Sequence, residues 1–255
     1  MTALAPADHV VLSARDLCKA FGGVQVARHL QFDLRRGARH ALIGPNGAGK
    51  TTLLNLLTGR LSADSGAIFI AGEEVTHLPP EARVKRGLAR TFQINSQFRS
   101  LSVLDNVCLA AAEHAGVGRC WWRGRYPAHV VDASRALLRQ LDLWRHADTI
   151  VGELPYGRQR ILEIAMALAL EPSVLLLDEP AAGVPSSETR VVLDVVEGLA
   201  PDIAVLLIEH DMGVVFRVAR EITVLVQGAI LMTGTPEMVE NDTRVREIYL
   251  GKRRG

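Results

Sequence analysis

A chain of 255 residues, 48% of them hydrophobic, can bury one large core or two small ones, and its 29 basic against 28 acidic side chains lack the excess of a nucleic-acid footprint. Cys18, Cys108 and Cys120 are odd in number and form no Cys-x-x-Cys pair, so neither a disulfide framework nor a zinc site is indicated and a reducing cytoplasm fits. No apolar run approaches the ~20 residues that cross a bilayer, and the N-terminus lacks a signal-peptide layout, so the chain is expected to dock on a membrane at most.

In chain order, Val10-Val11-Leu12 and the alternation of Leu30, Phe32 and Leu34 predict short strands. Between them stands Lys19-Ala20-Phe21-Gly22-Gly23, where Phe21 could stack on a base or belong to the core. Ala41-Leu42-Ile43 suits a buried parallel strand, and Leu53, Leu54, Leu56 and Leu57 line one helical face. The stretch between them, Gly44-Pro45-Asn46-Gly47-Ala48-Gly49-Lys50-Thr51, fits a phosphate-binding loop in the strand, loop, helix context that the motif requires. Its glycines let backbone N–H groups turn toward phosphate oxygens, Lys50 supplies a mobile cation, and Thr51 can place its hydroxyl on Mg²⁺. Thr52 reads equally as a second phosphate donor or as a helix N-terminal threonine.

A strand leading into a turn over residues 66–72, a short helix opening at Pro79-Pro80-Glu81 and the segment Thr91-Phe92-Gln93 close the first α/β portion. Helices follow: Ser102 to Asp105 matches a capping pattern for an apolar helix through Ala112, and another helix runs around Val130 to Leu141. The Trp121-Trp122 pair between them reads as an exposed aromatic contact or a satellite core. After Leu154-Pro155-Tyr156-Gly157-Arg158-Gln159, residues 161, 164, 165, 168 and 169 are apolar at helical spacing, and amides just past Gly157 would form an anion site.

Val174 to Leu177 is a buried strand ending in Asp178-Glu179, where an α/β sheet binds ligand; beside a phosphate loop, that is where an acid for Mg²⁺ belongs. Ser186 or Ser187 is expected to cap a helix to Leu199. Ile203 to Ile208 is a further buried strand ending in Glu209-His210-Asp211. A hairpin turns at Gln227-Gly228, and residues 236–250 read as helical.

In this order and spacing, the phosphate loop, Gln93, the helical segment with its signature-like element, Leu177-Asp178-Glu179-Pro180 and His210 resemble the ATPase subunits of ABC transporters. Arg90-Thr91-Phe92-Gln93, the run from Leu177 to Gly183, Ile208 to Met212 and Ile248-Tyr249-Leu250-Gly251 look like the branched-chain amino acid uptake branch. The resemblance implies a P-loop NTPase (RecA-like) α/β core with an antiparallel β subdomain, over residues 1–93 and 171–255, and an inserted α-helical subdomain over residues 94–170. It implies ATP and Mg²⁺ as ligands, Phe21 stacking on adenine, and Gln93 sensing Mg²⁺ and the attacking water. It further implies that Asp178 orients Mg²⁺, Glu179 polarises the water, and His210 contacts the γ-phosphate. Tyr156, Gly157 and Arg158 would face the nucleotide of an opposing subunit.

The implied partners are a second ATPase subunit, generally of different sequence in that branch, transmembrane permease subunits, and indirectly an external solute-binding protein, at the cytoplasmic face of the membrane. Another ABC transport system, such as lipopolysaccharide export, or a soluble ABC-type ATPase is the alternative. Two departures from the family pattern stand out. Pro155 removes the serine hydroxyl and the backbone N–H expected in the signature, with Arg158 nearby as a compensating cation, and Pro185 stands where an aspartate is usual. An asymmetric pair of nucleotide sites is the expectation.

Overall fold

The computed structural model describes residues 9–91, 97–117 and 126–250. The two strands expected near the N-terminus are each twelve residues long: β1 (Val10–Phe21) and β2 (Val24–Arg35). They join at Gly22 and Gly23, whose φ of 52° and 87° suit a tight hairpin turn. Leu30, Phe32 and Leu34 all face the core. β3 (Arg39–Ile43) leads through residues 44–49 into α1 (Lys50–Leu57), whose four leucines are fully buried. β4 (Ser65–Ile70) and β5 (Glu73–Glu74) return to the first sheet, giving the antiparallel order β2-β1-β4-β5. α2 (Pro80–Val84) opens on its proline, and β6 (Leu88–Arg90) follows. At three residues, β6 is too short for periodicity to mark it.

Three helices come next: α3 (Val103–His114), α4 (Ala128–Gln140) and α5 (Tyr156–Leu168). The Ser102 hydroxyl caps α3 by accepting the Asp105 N–H at 3.0 Å, as its spacing predicts. Trp121-Trp122 lies outside the described residues. The chain then alternates through β7 (Val174–Asp178), α6 (Ser186–Glu197), β8 (Ala204–Ile208), α7 (Met212–Val218), β9 (Glu221–Val226) and β10 (Ala229–Gly234), and ends in α8 (Pro236–Asn241) and α9 (Thr243–Leu250). The second sheet has the order β10-β9-β3-β8-β7-β6, parallel except for the hairpin strand β10.

Every residue of β7 and β8 is buried, as a parallel strand covered on both faces requires. Successive side chains divide between two cores. Val174 and Leu176 join the cluster shared by both sheets and α1, while Leu175 and Leu177 join the one built with α3 to α7. The register aligns Leu42, Ile208 and Asp178 across β3, β8 and β7, so the residues that follow each strand emerge at the carboxyl end of the sheet.

Two expectations need correction. The N-cap of α6 is Pro185, without a side-chain cap, and Ser186 and Ser187 fall inside the first turn. The last helical stretch is broken at Asp242, whose extended backbone ends α8 while its carboxylate accepts the N–H groups of Arg244 and Val245 to start α9.

Candidate active site

The loop between β3 and α1 can be built only with glycine at two places. A Cβ on Gly44 would stand 2.2 Å from the Leu225 carbonyl oxygen, and one on Gly49 would stand 2.5 Å from that of Val26. Gly49 also has φ of 104°, a conformation L side chains rarely adopt. The helix that follows has no side-chain cap and no acid in its first turn, so its first amides and its positive dipole end are left for an external anion. Lys50 folds back over the loop, its Nζ donating to the carbonyls of Gly44 at 2.6 Å and Pro45 at 3.2 Å. Burial pulls the pKa of this amine down, and the negative charge of Glu179 opposes the shift. Pro45 is half-buried and Ala48 buried, whereas Asn46, Gly47 and Thr51 are exposed and Thr52 is intermediate.

Across the sheet edge, Asp178 ends β7 almost wholly buried and accepts from Arg90 at 2.7 Å. Arg90 also donates to Asn55 Oδ1 of α1 at 2.8 Å, so one guanidinium ties the acid to the helix of the phosphate loop. Glu179 takes φ of 49°, a left-handed backbone that is uncommon for a side-chain-bearing residue. Its carboxylate lies 3.7 Å from Nδ1 of His210. Behind them Glu209 is buried, accepting the N–H groups of Ala181 and His210 at 3.2 Å each, and burial pushes its pKa up. The end-cap of α7 is Asp211 rather than His210, which leaves the imidazole turned toward Glu179.

The remaining expected site residues make contacts of their own or lie outside the described residues. Phe21 is not core: it closes β1 half exposed, with Lys19 Nζ 5.6 Å from its ring centroid. Tyr156 packs on Gly183 and accepts from Arg160 at 2.8 Å, and Gly157 donates its N–H to the Glu188 carboxylate at 2.7 Å. Arg158 is held by the Asp142 carbonyl at 3.0 Å and by its carboxylate. Gln93 lies outside the described residues. Reasoning from sequence missed Arg90 as the partner of Asp178, and Glu188 as the anion at the start of α5. An arginine ending a short strand was the only local signal for the first, and none existed for the second.

Mg²⁺ prefers hard oxygen donors, which the Thr51 hydroxyl and the Asp178 carboxylate supply, and the uncapped first amides of α1 suit a phosphate chain. A strand, a glycine loop with its lysine, an uncapped helix and an acid pair ending a nearby strand together define a P-loop NTPase.

Within that class the chain belongs to the ABC transporter family, whose model matches residues 27–182. It is 35% identical to the high-affinity branched-chain amino acid transport ATP-binding protein LivG of Escherichia coli over 95% of this chain and 98% of that one. It is 34% identical to BraF of Pseudomonas aeruginosa, of the same description, with the same coverage. Among solved structures it superposes with a TM-score of 0.83 on the ADP conformation of an ATP-binding cassette of an ABC transporter, at 30% identity over 95% of this chain and 99% of that one. A nucleotide-free cassette gives the same score at 28% identity, over 95% of this chain and all of the other.

Proposed function

We propose that this chain is the ATP-hydrolysing subunit of an ABC importer for branched-chain amino acids or related amino acids and amides. It docks from the cytoplasmic face on transmembrane permease subunits, pairs with a second ATPase subunit of different sequence, and answers indirectly to an external solute-binding protein. No helix among the described residues is long and apolar enough to cross a membrane. The relatives named above support the cargo class.

The observation that carries the chemistry is the pairing of Glu179 and His210, 3.7 Å apart, just past the carboxyl ends of β7 and β8, with the charge of Glu179 reaching Lys50. Residues 44–50 bind the phosphates through amides and the Lys50 ammonium, with Thr51 and Thr52 at the start of the helix. Thr51 and Asp178, with Gln93, would hold Mg²⁺, which when bound neutralises charge on the phosphates. Glu179 orients the attacking water and accepts its proton, and His210 contacts the γ-phosphate beside it. Phosphoryl transfer needs positioning and charge neutralisation above all, and this set provides both. Phe21 at the hairpin tip offers an exposed ring for the adenine. Tyr156, Gly157 and Arg158 face the nucleotide of the partner subunit, so ATP bridges the pair and hydrolysis releases it. The helical segment 94–170, inserted in the core formed by 1–93 and 171–255, passes that movement to the permease.

The test is Glu179→Gln in the assembled transporter. ATP binding should persist while single-turnover hydrolysis slows at least a hundredfold and a closed pair accumulates; unchanged single-turnover hydrolysis refutes the role. Uptake assays comparing leucine-like amino acids with amides decide the cargo, and failure to co-purify with permease subunits favours a soluble ATPase.

A further inference from the structure

Outside the nucleotide site, Asp16, Cys18 and His29 bring one oxygen, one sulfur and one nitrogen ligand atom within 4.8 Å of each other on the β1–β2 hairpin. Sequence spacing gave no hint of this, because the three residues meet across a strand pair rather than in a local motif. Asp16 and Cys18, two apart on β1, share a face in a regular strand. The pairing with β2 shifts register between Ala14 and Leu17 and again between Leu17 and Lys19. Asp16 and His29 take left-handed backbones at these irregularities, with φ of 49° and 48°. Bulges of this kind re-aim side chains.

The result is an imidazole whose Nδ1 lies 2.6 Å from Asp16 Oδ1 and 3.6 Å from Cys18 Sγ. We propose that this trio is a binding site for a zinc-class divalent cation, with Cys18, His29 and Asp16 as protein ligands and water completing the shell. With Zn–S at ~2.3 Å and Zn–N and Zn–O at ~2.1 Å, a tetrahedral ion separates sulfur from nitrogen by about 3.6 Å and nitrogen from oxygen by about 3.4 Å. The first edge is already in place. The second needs Asp16 to withdraw by about 0.8 Å, which a side chain 61% exposed is free to do. The cation would replace the hydrogen bond between His29 and Asp16, the exchange that deprotonated ligands require.

An outer-shell contact supports the thiolate: the backbone N–H of His29 donates to Cys18 Sγ at 3.3 Å. Cys18 is partly exposed and reachable, unlike buried Cys108, whose thiol burial pushes to a higher pKa. The donor set also separates this site from the nucleotide site. A thiolate and an imidazole select Zn²⁺ or Co²⁺ over Mg²⁺, whereas Thr51 and Asp178 offer only oxygen.

The experiment titrates tag-free, full-length, reduced chain with Co²⁺ in the presence of excess Mg²⁺ and ATP, so that the phosphate loop is already occupied. One equivalent should bind with a thiolate-to-cobalt charge-transfer band in the near ultraviolet, and Zn²⁺ should displace it. Cys18→Ser should abolish the band, and His29→Gln and Asp16→Asn should each weaken binding by about tenfold or more, the least expected when even outer-shell partners matter that much. Cys120→Ser should change nothing. In the unmodified chain, Zn²⁺ should also protect Cys18 from alkylation, read by mass spectrometry of its peptide, which keeps the test independent of how the variants fold. A band that survives Cys18→Ser, or alkylation of Cys18 that is indifferent to Zn²⁺, overturns the proposal and leaves a metal-free hydrogen-bonded trio.

Discussion

Nη2 of Arg90 donates to Oδ2 of Asp178 at 2.7 Å, with the two side chains only 9% and 3% exposed. The same guanidinium reaches Asn55 on α1, so the acid at the end of β7 and the helix behind the phosphate loop are held in register by one residue at the end of β6. Removing the cation leaves a buried carboxylate without its partner. Breaking a buried ion pair in this way is strongly destabilising, roughly 3–5 kcal/mol. Arg90→Met should therefore lower the urea midpoint sharply, and Arg90→Lys should lower it less because the second, directed hydrogen bond to Asn55 is lost while the charge remains. Equal midpoints for Arg90→Met and the unmodified chain would show that the pair does not organise the site.

A second prediction concerns backbone space. Gly49→Ala must place a Cβ 2.5 Å from the Val26 carbonyl oxygen at a φ of 104°, two penalties in one substitution. Strain of that kind is worth about 1–3 kcal/mol per residue before the clash is added. Because β2 and the loop must move apart to relieve it, ATP affinity should fall at least tenfold together with stability. Isothermal titration and urea denaturation on the same preparation check this, and tight ATP binding by a destabilised variant would mean that the contact with Val26 is unrelated to the phosphate cradle.

The parts of this molecule legible in the sequence are those written in local pattern. Leu53, Leu54, Leu56 and Leu57 define a buried face, β8 and β7 up to Leu177 are continuous apolar runs, and Gln227-Gly228 is a hairpin turn in which Gly228 suits its φ of 79°. What escaped the sequence was set by distant partners. Ser186 and Ser187 look like caps, yet Pro185 starts α6, and Glu188 in its first turn lends its carboxylate to Gly157 on α5. Arg90 and Asp178 are joined only by the pairing of β6 with β7. The trio on the β1–β2 hairpin depends on register shifts that no spacing rule encodes.

That loan from Glu188 bears on the altered signature. Pro155 caps α5 without a side-chain hydrogen bond and without an N–H of its own, and the first glycine amide is occupied by an internal carboxylate. Arg158, the cation expected to compensate, donates to the Asp142 carbonyl and pairs with its carboxylate. A γ-phosphate arriving from an opposing subunit would meet few donors here. Pro155→Ser should raise ATP turnover in the assembled transporter, and Glu188→Ala should weaken α5 by about 1 kcal/mol through loss of an anion at its N-terminus. No change in turnover with Pro155→Ser would count against an impaired second site.

The last prediction is a pH dependence centred on His40, one residue into β3. Its imidazole is buried, with Nε2 2.8 Å from Thr223 Oγ1, an edge-on contact to Phe32 at 5.1 Å, and Nδ1 3.1 Å from Glu221 Oε2 but out of hydrogen-bond alignment. Burial lowers the pKa below the ordinary 6.5, and Glu221 acts in the opposite sense without reversing it. The folded state therefore binds this proton less readily than the unfolded chain does. The stability involved is present above pH 6.5 and is lost as pH falls from there through the depressed folded value, at up to about 1.4 kcal/mol per pH unit for one proton. Urea midpoints measured from pH 7.5 to 5 should fall in the unmodified chain, fall less in His40→Gln, and fall more steeply in Glu221→Gln, where the opposing carboxylate charge is gone. Three residues separate His40 from Gly44, so a protonated ring that disturbs β3 also disturbs the phosphate loop, and ATP affinity should decline over the same interval. Identical pH profiles for the unmodified chain and His40→Gln would assign the acid sensitivity to other groups.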